Sequence, residues 1–556
     1  MSHLSFRGHP GPRCALRTQT LATCACSALL ALFVGACSDA GDGNSTSTAG
    51  PFGGSFGSPA GTPNNNQQAN PPSSNPNDPA QSTNSSTNQP ASNSTNPETT
   101  PGDITLNPGE TGPTGGTNTD GTGMTTPPDT TQQMPPTDGM QPPPAEPLPP
   151  TLERPTKGTP NLFTRDLGIG VGEVDAKLTT AVNRFFGIGT NEPATPTRDT
   201  GFRVYYELPQ DRSMAFIWTT DSNDVRSEGM SYGMMIALQM DMQQQFNALW
   251  KFAKTFMQFP QNSATTSWRG NFRWQGTVNT GNGNNWQVNF PDSAGPAPDG
   301  DEYFAAALYL ADRRWGSNGG VNYQQEADVI SHAMLANTAA GNNTPLINAA
   351  NNLVVFYPNV QNQFTDPSYN LPAFYEIYAT DGPQGDAARW NTIADASRNL
   401  LVRSANATTG LHPDYANFNG TPNAGGDQHD QFRFDAWRVI MNMAVDYAWS
   451  GQDARWTTQA NKYHAFFADK LNAAKDNVTN QTFALNGSNA AGGNSTALTS
   501  TLGAGAIAST APNRLDFINA AWTVYQQSGQ YRYYQESVYI LGLLATSGLM
   551  GYEWAQ

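Results

Sequence analysis

Apolar residues recur with a helical period in twelve separate stretches of this chain, the first VDAKLTTAVNRFF and the last YYQESVYILGLLAT. Strand-like alternation is confined to FRVYYELP and FRWQGTV. Helices with one apolar stripe each must bury it against other helices. Twelve of them, joined by loops rich in Asn, Gly and Trp, predict an all-α fold over residues 160–556: six helical hairpins closed into an (α/α)6 barrel. An open solenoid would carry a repeat length, and no fixed period runs through these stretches.

Upstream of that unit the chain changes character. Arg7, Arg13 and Arg17 precede a short apolar run, SALLALFVGAC, which has the form of an export signal and is too short to span a membrane. Its end, Val34-Gly35-Ala36-Cys37, resembles a bacterial lipoprotein box, which implies a signal over residues 1–36 and a lipid on Cys37. Ser38 after the Cys fits passage to the outer membrane or cell surface; release as a secreted protein is the alternative. Residues 37–159 are mostly Gly, Ser, Thr, Asn, Gln and Pro, with no Lys or Arg between Cys37 and Arg154. Such a segment buries too little apolar surface to offset its ordering entropy, so a disordered tether is expected. Contact with the membrane would then run through the lipid alone.

All four cysteines, Cys14, Cys24, Cys26 and Cys37, lie in or at the end of the signal. The exported part therefore has no disulfide, no thiol nucleophile and no Cys-ligated zinc. With 45 acidic against 29 basic residues and a net charge of −16, nucleic acid is a poor partner. An acidic monomer on a long leash fits a neutral polymer better.

The loop TTSWRGNFRWQGTVNTGNGNNWQVNF sets Trp268, Trp274 and Trp286 among amides and glycines. Indole faces against sugar C–H surfaces, with amides for the hydroxyls, are what a polysaccharide groove uses. A second feature is SEGMSYGMMIALQM, where Ser227 reads as an N-cap and Glu228 opens an otherwise apolar helix. The carboxylate either complements the helix dipole or is an acid whose pKa is tuned by its pocket. Further acids stand in APDGDEYF (Asp299 and Asp301) and in FRFDAWRV, where Asp435 precedes Arg438 by three residues in the first turn of a long helix; Tyr369 stands in DPSYNLPAFY.

In chain order, Glu228, Asp299 and Asp301, Tyr369 and then Asp435, the four segments resemble glycoside hydrolase family 8, and APDGDEYF and FDAWRV are closest to its xylan-active members. The resemblance implies an inverting cleavage of β-1,4-xylosidic bonds, with endo or reducing-end exo action. Glu228 would be the general acid and Asp435 the general base. Asp299 or Asp301, with the lean toward Asp299, would orient the sugar. Tyr369 would hold the attacking water, Trp274 would stack on substrate and Arg438 would order Asp435. Cellulose, mixed-linkage β-glucan and chitosan are alternative polymers, and a non-catalytic glycan-binding lipoprotein is an alternative of another class. His412 and His429 precede Asp435, but with no third His or Cys beside them neither a metal nor a cofactor is expected. The exo-acting members close their groove with a histidine-bearing loop late in the chain. Here no His follows His464, which makes an open, endo-acting cleft as credible as exo action.

Overall fold

A computed structural model of the chain describes residues 151–555, apart from Ala264, Thr265 and Asn282. The export signal, Cys37 and the tether as far as residue 150 lie outside the described residues. The helices are α1 (Leu162–Leu167), α2 (Val171–Phe186), α3 (Ser227–Gln239), α4 (Gln243–Phe252), α5 (Pro298–Trp315), α6 (Tyr323–Ala336) and α7 (Pro372–Asp381). They continue with α8 (Ala387–Ser404), α9 (Val439–Trp449), α10 (Ala454–Phe467), α11 (Thr496–Gly505), α12 (Arg514–Thr523) and α13 (Arg532–Thr546). Every helix read from the periodicity is present. The additional one, α1, has six residues, too few for a period to register; the Asn161 side chain caps it by accepting from the Thr164 N–H at 3.1 Å.

From α3 onward each odd-numbered helix packs on the next, and α13 returns to α3, so six helices close a ring. The even-numbered helices lie against this ring: α4 on α3, α6 on α5, α8 on α7, α10 on α9, α12 on α11 and α2 on α13. Sequence separates the two sets. In α3 every residue but Glu228 is buried, and α5 is buried continuously from Pro298 to Ala311. The outer α2 buries one stripe, Val174, Leu178, Ala181, Val182 and Phe185, with polar residues on its other face.

Small residues bring the inner helices together where the site is built. A Cβ on Gly229 would fall 2.4 Å from the Tyr533 ring, and one on Gly300 would fall 2.4 Å from the Ser227 hydroxyl. Any larger residue there would separate α3 from α13 or from α5.

Strands are more numerous than the alternation suggested. The described residues hold β1 (Lys157–Gly158), β2 (Tyr205–Leu208), β3 (Asp211–Ile217), β4 (Val225–Arg226), β5 (Gln275–Asn279), β6 (Gln287–Asn289), β7 (Ile347–Asn348), β8 (Leu353–Val354) and β9 (Gly551–Glu553). FRVYYELP contributes β2 and FRWQGTV contributes to β5. The rest are mostly two or three residues long and too short to alternate. They pair antiparallel as β1–β9, β2–β3, β4–β5–β6 and β7–β8.

The pairing of β1 with β9 moves the start of the folded unit ahead of residue 160. The Leu152 N–H donates to Asp175 Oδ2 at 3.0 Å, and Arg154 pairs with Asp175 and donates to the Ser547 carbonyl at 3.2 Å. These anchors are backbone bonds and an ion pair, which apolar density in the sequence does not reveal. Two local expectations also change. Arg226, not Ser227, occupies the cap position of α3. Asp435 sits in a separate 3-10 turn, Phe434–Arg438, ahead of α9 rather than in its first turn.

Candidate active site

The N-terminal ends of the inner helices converge on one side of the ring. Glu228 and Asp299 are the second residues of α3 and α5, Tyr533 is the second of α13, and Tyr369 closes the turn that leads into α7. Asp435 is delivered by the 3-10 turn before α9, where Phe434 takes φ 35°, a conformation that non-glycine residues rarely adopt and that tertiary packing must hold.

Arg438 joins the acids. Its Nη1 lies 3.2 Å from Glu228 Oε2 and 3.4 Å from Asp299 Oδ2, and its Nη2 lies 3.0 Å from Asp435 Oδ1. Nη1 also donates to the Tyr232 hydroxyl and Nη2 to Ser368 Oγ at 2.8 Å. The guanidinium is almost wholly buried, so these contacts act with little screening. Glu228 and Asp435 are thus no farther apart than one guanidinium and two short polar contacts. That keeps them within the upper bound of the about 6.5–9.5 Å that an inverting pair needs for its water.

Each end has its own tyrosine. Tyr533 donates to Glu228 Oε1 at 2.9 Å, and Tyr534 donates to Asp435 Oδ1 at 3.1 Å. Burial, the largest influence, holds the Glu228 carboxyl above its ordinary range, and nearby Asp435 adds to it; Arg438, Arg226 and Tyr533 pull the other way. Asp299 is pushed up to about 8, first by burial and then by the proximity of Glu228. A carboxyl that stays protonated beside one that can ionise is what general acid–base chemistry requires. A cleft opens here, lined by Arg226, Ser227, Glu228, Trp274, Ala297, Asp299 and Tyr369.

Asp301 does not join them. Two residues further along α5 it is rotated by about 200° from Asp299, and its Oδ1 accepts from Asn271 Nδ2 at 2.9 Å and from the Phe272 N–H at 3.2 Å. It is fully buried and braces the loop before β5 from the far side of the helix. Of the three tryptophans only Trp274 lines the cleft, with the Arg226 guanidinium 5.6 Å from its ring. Trp268 packs against Phe259 and Tyr357, and Trp286 against Phe216, as core residues. Their loop is polar in sequence, but the indoles turn inward.

His412 is also structural. It bonds the Tyr463 hydroxyl at 2.9 Å and the Leu401 carbonyl at 2.8 Å, and burial lowers its pKa to about 4. His429 stands behind Asp435, with Nδ1 2.5 Å from Asp414 Oδ2. Asp366, Asp414 and Asp435 each offer a carboxylate oxygen within 4.8 Å of the others, close enough to share a cation. The donors are arranged otherwise: both Asp414 oxygens and Asp435 Oδ1 already face N–H or O–H groups. Tyr232 stands one turn on from Glu228 along α3. Tyr533, Tyr534, Asp366 and Asp414 carried no local signal; only the closed ring brings them in.

Carboxyls gathered around a shared buried arginine, beside a cleft that Trp274 lines at one end of a helical ring, fit a glycoside hydrolase. The chain belongs to glycosyl hydrolases family 8, whose family model matches residues 217–548. Among its relatives, the reducing-end xylose-releasing exo-oligoxylanase Rex8A of Paenibacillus barcinonensis is 35% identical over 70% of this chain and 95% of its own. Endoglucanase C of Ruminiclostridium cellulolyticum is 29% identical over 63% of this chain and 67% of its own. A family 8 xylanase of Teredinibacter turnerae, solved as the xylohexaose complex of a catalytic mutant, superposes with a TM-score of 0.62 at 36% identity, over 71% of this chain and 98% of that one.

Proposed function

We propose that this enzyme cleaves β-1,4-xylosidic bonds in xylan or xylo-oligosaccharides with inversion, on an (α/α)6 barrel. The observation that carries the reading is the single Arg438 guanidinium in reach of Glu228, Asp299 and Asp435. Glu228 gives its proton to the leaving oxygen. Asp435 takes one from a water that attacks the opposite face of the sugar, and Tyr369 helps to hold that water. Asp299 binds the sugar at the cleavage point and Trp274 stacks on a ring. Arg438 pairs with Asp435, orders it and keeps the carboxyls in register. The xylan-active relatives support this polymer over glucan. Product analysis on xylo- and cello-oligosaccharides tests it: xylo-oligosaccharides should be cut and cello-oligosaccharides left intact. Xylose alone as the first small product would assign reducing-end exo action, and a spread of lengths would assign endo action. Preferential cleavage of cello-oligosaccharides would overturn the substrate.

The N-terminal sequence supports export and a lipid on Cys37, with the catalytic unit acting as a monomer on its tether. No helix among the described residues is long and apolar enough to cross a membrane. A Cys37→Ala chain should leave the membrane fraction or remain unprocessed. Failure of labelled fatty acid to enter the wild-type chain, in a host that processes lipoproteins, would remove the anchor.

A further inference from the structure

Behind the base, two more carboxyls close on Asp435. Asp366 comes from the turn before α7 and Asp414 from the connection between α8 and α9. The three offer oxygens within 4.8 Å of one another and all are buried. Their hydrogen bonds differ. Asp414 Oδ1 accepts the Asp435 N–H at 3.0 Å and its Oδ2 faces His429 Nδ1 at 2.5 Å, with the His429 ring stacked 3.9 Å from Tyr415. Asp435 Oδ1 accepts from Tyr534 and faces Arg438. Asp366 Oδ1 accepts the Ser368 N–H at 2.6 Å, but its Oδ2 is buried with no partner. A buried carboxylate oxygen left bare, beside two further carboxylates, is costly. A proton on that oxygen removes the charge and gives the neighbouring carboxylates a donor.

We propose that Asp366 is a positioning residue of the base: it keeps a proton at working pH and directs its Oδ2–H toward Asp414 and Asp435, directly or through one water, so that Asp435 stays ionised. Three carboxyls this close cannot all be charged, and the shared proton must rest on one of them. On Asp435 it would silence the base. On Asp414 it would compete with the His429 and Asp435 N–H groups that bond to that carboxylate. Asp366 is left. The groups facing it are Asp435 and Arg438 from the 3-10 turn, Asp414 with His429 and Arg433 behind it, Tyr415 beside them, and Ser368 and Tyr369 in its own turn. Burial first, then Asp435 and Asp414, drive the Asp366 carboxyl well above the usual range against the pull of Arg438 and Ser368.

The inference rests on Asp435 as base, and its test separates the two claims. Asp366→Asn keeps a neutral donor, whereas Asp366→Ala removes it. The Asn variant should keep kcat/KM within about threefold and leave the acidic limb of its pH profile where the wild type has it. The Ala variant should lose about tenfold and move that limb up by about half a unit or more, because Asp435 has lost a hydrogen bond to its charged form. Infrared difference spectra at working pH should show one protonated carboxyl fewer in Asp366→Asn than in wild type. If both variants move the limb down, Asp366 was ionised; if neither moves it, or no protonated carboxyl is lost, Asp366 is only structural. Either result overturns the proposal. An active Asp435→Asn enzyme would instead remove the base, and the infrared comparison does not depend on activity.

Discussion

The two ends of the carboxyl row are built on different principles. Glu228 stands at the start of a continuous buried helix, with Tyr533 on one oxygen and Arg438 on the other. Asp435 stands on a strained turn outside its helix, backed by Asp414, His429 and Asp366 and held by Arg438 and Tyr534. The Glu228 end raises a pKa by drying a carboxyl on a helix N-terminus, whose dipole alone would lower it. The Asp435 end gathers carboxyls and holds them in a hydrogen-bonded network. One guanidinium serves both and couples them.

The strongest way to break this contrast is to remove each carboxyl in turn. Glu228→Gln and Asp435→Asn should each lower kcat by about 10²–10⁴-fold while circular dichroism and melting stay close to wild type. A variant that keeps most of its rate would strip that residue of its role.

Next in size is the shared cation. Arg438→Met leaves Glu228, Asp299 and Asp435 without their common counter-charge, and kcat should fall by about 10²-fold. Loss of a nearby positive charge raises both working pKa values, so the acidic and alkaline limbs should both move to higher pH. Movement of one limb alone would show that Arg438 serves one end.

The tyrosines sharpen the contrast with smaller effects. Each donates to one carboxylate only, and a hydrogen bond to the charged form lowers a pKa. Tyr533→Phe should therefore raise the alkaline limb by about one unit and leave the acidic limb in place. Tyr534→Phe should raise the acidic limb alone by a similar amount. Both limbs moving together in either variant would mean that the ends are not separable.

What could be read from the sequence follows the same division. Glu228, Asp299 and Asp435 stand in short motifs, and the helical period located the helices that carry Glu228 and Asp299 but not the separate turn that carries Asp435. Asp301 shared a motif with Asp299, but a linear motif does not show that two residues along a helix means the opposite face. The indoles of Trp268 and Trp286 could not be told from sugar platforms, because a polar loop hides which ring turns inward. Tyr533 and Tyr534 come from the last helix, some three hundred and one hundred residues from the carboxylates they touch. Only ring closure makes them neighbours.

The central claim is that Glu228 and Asp435 act across a water from opposite faces of the sugar. Proton NMR of the first turnovers on a β-linked xylo-oligosaccharide, recorded before mutarotation, reads this directly. The α-anomer should appear first at the new reducing end. If the β-anomer appears first, the two carboxyls do not act as an inverting pair.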